Sequence, residues 1–97
     1  MWKAELNIRD LITGENLEGD ALKHRSQELA KRLKQFQKKQ TYLFLKNPYG
    51  KEDFEEIIES FETYIQNLDQ FNEELKNLWD WCDLYEVWVP FPNPFIK

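Results

Sequence analysis

The chain has 97 residues, a net charge of −5, 41% apolar and 15% aromatic content, and 32% charged residues. That size and balance allow one domain, 1–97, and exclude both a disordered polymer and a membrane-embedded protein. The charge is divided along the chain: residues 1–50 carry ten Lys/Arg against six Asp/Glu, and residues 51–97 carry three against twelve.

Trp2, Ala4, Leu6 and Ile8 alternate with Lys3, Glu5, Asn7 and Arg9. A period of two predicts a half-buried strand over 2–9. Thr13-Gly14-Glu15-Asn16 ends it, and Gly19-Asp20 supplies a turn with Asp20 as a helix cap. From Asp20 the spacing of Leu22, Ser26, Leu29, Leu33 and Phe36 predicts an amphipathic helix. Its last turns are rich in Lys and Arg, which suits the negative end of a helix dipole.

Thr41-Tyr42-Leu43-Phe44-Leu45 is a short β-favouring run ended by Asn47-Pro48-Tyr49-Gly50. It reads as a strand, with extension of the first helix as the alternative. Phe54, Ile57, Ile58, Phe61 and Ile65 then form the stripe of a second helix, whose opposite face carries Glu52, Glu55, Glu56, Glu59 and Glu62. With Asp69 as its cap, a third helix carries Phe71, Leu75, Leu78, Trp79 and Cys82 inward. Tyr85 to Val89 reads as a last strand, and 90–97 as an extended Pro/aromatic tail holding Phe91 and Phe95. The expected fold class is α+β in the order β-α-β-α-α-β, three amphipathic helices packed on a short sheet.

Chemistry-bearing motifs are sparse. A single Cys82 forms no internal disulfide, and the chain opens without the apolar core of a signal peptide, so the expected location is cytoplasmic. The longest purely apolar run, Tyr42 to Leu45, is far short of the roughly 20 residues that span a bilayer, so no membrane role is expected. His24 and Cys82 each stand alone, without zinc spacing, and Gly14, Gly19 and Gly50 form no phosphate loop. Neither a metal nor a cofactor is expected. Asp80, Asp83 and Glu86 beside Trp79, Trp81 and Trp88 are the candidate acids, but no nucleophile–base pair accompanies them, and no enzyme is predicted.

The acidic second helix and the dense C-terminal aromatics are the stronger signals. Carboxylates recurring every three or four residues share one face and attract a basic protein surface; the competing reading is a solvated face that keeps the protein soluble. Trp79 and Trp81 project roughly 200° apart on a helix, which places one near the surface as an interface anchor. The alternative has Trp81 covering the end of the first strand. The partner-binding set is therefore Glu52, Glu55, Glu56, Glu59, Glu62, Trp81 and Asp83. Lys31, Arg32, Lys34, Lys38 and Lys39 on the first helix offer a nucleic-acid surface, which the acidic pI of about 4.9 disfavours. A third use of the divided charge is self-association, the basic face of one copy on the acidic face of another.

Leu78-Trp79-Asp80-Trp81-Cys82-Asp83 followed by Val87-Trp88-Val89 resembles a terminal pattern of small uncharacterised proteins from phages and mobile elements, approximately Leu-Tyr-Asp-Trp-x-Asp-x-x-x-Val-Trp-Ile. Asp80, Trp81, Asp83, Val87 and Trp88 match; Trp79 replaces Tyr, and Glu86 stands where a basic residue is frequent. The resemblance covers the last quarter and carries no catalytic residues. It implies a phage-type inhibitor, anti-CRISPR-like or otherwise anti-defence, of a host nucleic-acid-handling complex.

Overall fold

A computed structural model describes residues 4–11 and 18–90. After a 3₁₀ turn at Arg9–Leu11 come four helices: α1 (Gly19–Lys39), α2 (Thr41–Lys46), α3 (Pro48–Thr63) and α4 (Leu68–Leu84). No strand forms among the described residues, which corrects the α+β expectation to an all-helical domain. The first part of the 2–9 strand, the turn at 13–16 and the tail beyond Pro90 lie outside the described residues.

The alternation at the N-terminus marks which side faces the core without creating a sheet. Ala4, Leu6 and Ile8 are buried while Glu5 and Asn7 are exposed. The segment meets another extended stretch at a single parallel bridge, Glu5 to Trp88, where Leu6 N–H donates to the Trp88 carbonyl at 2.8 Å and Trp88 N–H to the Ala4 carbonyl at 2.9 Å. Other carbonyls of the segment are met by α1 side chains. Arg32 Nη1 donates to Asn7 O at 2.8 Å, and Arg25 Nη1 to Leu11 O at 3.0 Å. Guanidinium groups thus meet two carbonyls of this stretch without a sheet.

Residues 41–45 are also corrected, from strand to helix. An isolated five-residue strand leaves its backbone groups unpaired, whereas a helical turn satisfies them locally. Gln40 N–H donates to Phe36 O, Phe44 N–H to Gln40 O, and Lys51 N–H to Asn47 O, so the chain runs from α1 into α3 with only brief interruptions. The turn buries Phe44 and leaves Tyr42 and Leu45 outward. Pro48 then occupies the first turn of α3, where its missing N–H costs nothing.

Helix starts differ slightly from expectation. In α1 the N-cap position is held by Glu18, whose side chain makes no capping hydrogen bond, with Asp20 inside the first turn. Asn67, not Asp69, caps α4: its side chain accepts from Gln70 N–H at 2.9 Å, and Gln70 Oε1 accepts from Gln66 N–H at 2.7 Å. Asp69 sits within the first turn, where a carboxylate still suits the dipole.

Helix α3 is central, packing on α1, α2 and α4. Its stripe Phe54, Ile57, Ile58 and Phe61 joins Leu22, Leu29, Leu33 and Phe36 of α1 and Phe71, Leu75, Leu78 and Cys82 of α4 in one core. Phe61 and Phe71 meet edge to face at 5.7 Å. Ile65 is only partly buried at the edge of this core.

The end of α4 replaces the expected last strand. Glu86 has φ 58°, Val87 N–H donates to Cys82 O at 2.8 Å, and Glu86 N–H points to Asp83 O at 3.5 Å. This is a Schellman cap with Glu in the left-handed position that glycine usually fills. It turns the chain back so that Val87 enters the core and Trp88 reaches Ala4 and Leu6.

Candidate protein interface

Of the aromatic residues near the C-terminus, Trp81 departs furthest from its expected role. It is 5% exposed, as buried as Trp79 at 4%, so it anchors the core and is not a free interface side chain. The two directions lie roughly 200° apart one way but 160° the other, and the buried arc of α4 takes the short way. Trp81 packs on Phe44 at 5.7 Å, Phe54 at 4.6 Å and Tyr85 at 5.1 Å. Its position therefore depends on α2 being a helix, since that turn delivers Phe44 inward.

The acidic row on α3 is exposed at each of its five positions, yet it is not one surface. Glu62 pairs with Lys34 of α1. Glu55 borders a hollow beside α2 that also holds Lys38 and Lys51. Glu56 turns to the other flank, toward α4. Glu52 and Glu59 lie between these directions and point away from the core, by the roughly 100° step of a helix.

On the α4 flank the structure assembles a group that the spacing along one helix did not reveal. Asp53 and Glu56 of α3 face Glu74 and Asp80 of α4 across an open groove of about 360 Å³. Ser60 and Asn77 line it as well, with Ile57, Trp81 and Leu84 as the apolar part. No Lys or Arg stands among the described residues that line it. Burial raises the Glu74 carboxyl above its ordinary value; a hydrogen bond from Asn77 opposes this and the neighbouring Glu73 charge adds to it. Asp53 and Glu74 escaped the sequence reading because each lies beside a denser row on its own helix. The available signal was a pair of flank periodicities, 53-56-60 and 74-77-81-84.

Asp83 is exposed, but its position on α4 is about 60° from Asp80 on the side away from the groove. It does not join the others. Cys82 is buried, and that burial, with the nearby Asp83 charge, pushes its thiol up to about 12, so it is a packing group without thiolate character at neutral pH. No group of three or more His, Cys, Asp or Glu stands where it could hold a metal ion among the described residues. Among the same residues no helix is long and apolar enough to cross a membrane.

The basic helix is partly committed to the fold. Arg32 forms two 3.1 Å contacts with the Asp10 carboxylate besides its bond to Asn7, Arg25 holds Leu11, and Lys34 holds Glu62. The guanidinium of Arg32 keeps the Asp10 carboxyl below the usual range. Lys31, Lys38 and Lys39 remain exposed.

Fold and site together define a small helical domain whose central helix separates a basic side, α1–α2, from an acidic side, α3–α4. No protein family, curated protein or solved structure matches the chain. The resemblance of the last quarter to phage and mobile-element proteins, with the anti-CRISPR-like inhibition it implied, gains no relative in support. Within that quarter Trp81 and Val87 belong to the core.

Proposed function

We propose that this protein is a binding module whose α3–α4 groove receives a basic segment or surface of a protein partner. One observation carries the reading: Asp53, Glu56, Glu74 and Asp80 converge from two helices on one groove that also offers apolar surface at Ile57 and Leu84. A Lys or Arg side chain laid there gains charge contacts at its head and apolar contact along its stem. Between Pro48 and Leu84 eleven Asp/Glu stand against Lys51 and Lys76, so the field around the groove steers cations toward it.

The nucleic-acid reading loses support, because Arg25, Arg32 and Lys34 are engaged within the fold. The test is fluorescence anisotropy with a labelled peptide rich in Lys, Arg and Leu. Binding at low salt, weakened as salt shortens the screening length from about 10 Å at 0.1 M to 3 Å at 1 M, supports the groove. The double variant Glu56→Lys, Asp80→Lys should lose at least about tenfold in affinity. Equal affinity in that variant with its fold intact removes the reading.

A further inference from the structure

On the flank of α3 opposite the groove, the short α2 presents an apolar and basic surface. Tyr42 and Leu45, three positions apart, project outward; they are 62% and 80% exposed. The Lys46 ammonium lies 5.0 Å from the centre of the Tyr42 ring. Lys38 and Lys51 line the adjoining hollow of about 480 Å³, where Leu45 and the buried Phe44 supply the apolar wall. Two large apolar side chains exposed on one short helix beside ammonium groups form a surface of the kind that marks a contact site.

We propose that the partner of this α2 surface is the acidic groove of a second copy of the same chain. The inference rests on the groove reading above and names one occupant for it. Its warrant is complementarity on the same molecule: the patch combines ammonium groups of Lys38, Lys46 and Lys51 with protruding Tyr42 and Leu45, and the groove combines four carboxylates with apolar Ile57 and Leu84. Lys51 and Glu55 face the α2 side of α3 while Asp53, Glu56 and Ser60 face the α4 side, so donor and acceptor surfaces sit on different flanks of one helix. Two copies then meet head to tail. Such a contact leaves one free surface at each end and extends to rings or short chains. A polyanion is the weaker occupant, since the chain as a whole is at −5. The small contact places association in the weak class, visible only at high protein concentration.

Sedimentation equilibrium at low salt, from about 10 µM to 1 mM protein, tests it. The weight-average mass should rise to at least about twice that of the monomer and return toward it as salt is added. Leu45→Glu, which spoils the patch, and Glu56→Lys with Asp80→Lys, which spoils the groove, should each be monomeric with unfolding midpoints near that of the parent. Mixed one to one, the two variants should form a dimer and nothing larger, because each retains one complementary surface. A parent protein monomeric throughout, association retained by either variant alone, or a mixture that stays monomeric overturns the proposal. If the parent stays monomeric yet still binds the basic peptide, this inference falls and the groove reading stands; loss of both removes both. Binding of the monomeric parent to phosphatidylserine vesicles or a DNA duplex, weakened by Leu45→Glu, assigns the patch to a polyanion and also overturns it.

Discussion

The indole nitrogen of Trp81 donates a buried hydrogen bond of 2.9 Å to the carbonyl of Gly50, tying the end of α4 to the start of α3 across 31 positions. Phe44, Phe54 and Tyr85 surround that indole, so one side chain joins α2, α3, α4 and the C-terminal turn. This contact also fixes one wall of the acidic groove, which Trp81 lines.

Substitution at this contact should be costly in a defined pattern. A Cβ on Gly50 would lie 2.8 Å from Cζ of Tyr85, and the Tyr85 ring packs against Trp81 5.1 Å away, so it has little room to swing. Gly50→Ala should therefore destabilise by about 1–2 kcal/mol despite the better helix propensity of Ala. In a Tyr85→Ala background the same change should stabilise, and a double-mutant cycle from urea unfolding measures the coupling. Trp81→Phe, which removes the donor and some volume, should cost about 1–3 kcal/mol.

The Schellman cap at Glu86 predicts a gain. A non-glycine residue at φ 58° carries strain of about 1–2 kcal/mol, offset in part by the entropy that Gly loses on folding. Glu86→Gly should raise unfolding stability by about 0.5–1 kcal/mol, read as a higher denaturant midpoint at unchanged slope. A lower midpoint would contradict the left-handed assignment.

Two carboxyls should shape the pH dependence in opposite senses. Asp10, held low by the hydrogen bonds from Arg32, contributes stability above its ordinary value of 3.8, and that contribution is lost as pH falls through its folded-state value. Asp10→Asn should therefore lower stability at pH 7 by less than about 1 kcal/mol, since the pair is at the surface, with the difference disappearing in acid. Glu74 is raised by burial, so folding favours its neutral form and loses stability as pH rises above the ordinary value of 4.5. Glu74→Gln should be the more stable chain at pH 7 and equal to the parent at pH 4. Thermal melts of both variants across pH 3–7 check the two signs.

The inward residues of the three longer helices were legible because a period near 3.6 names a face whatever surrounds it. Leu22, Leu29, Leu33, Phe54, Phe61, Leu75 and Leu78 are buried as their spacing implies. The sheet was misread because period-two burial at Ala4, Leu6 and Ile8 is equally produced by an extended segment lying on helices. What distinguishes the cases is the source of its hydrogen bonds, here Arg25, Arg32 and one bridge to Trp88. The groove was hidden for a related reason. Its carboxylates come from helices far apart in sequence, so only their packing sets Asp53 and Glu56 beside Glu74 and Asp80.

That four-carboxylate groove is the centre of the functional account, and an amide-resolved NMR titration with the Lys/Arg/Leu peptide at low salt tests it most directly. Amide shifts should concentrate at Asp53, Glu56, Ser60, Asn77 and Asp80, reverse on adding salt, and vanish in the Glu56→Lys, Asp80→Lys variant. Shifts confined to α1, or undiminished in that variant, would contradict the account.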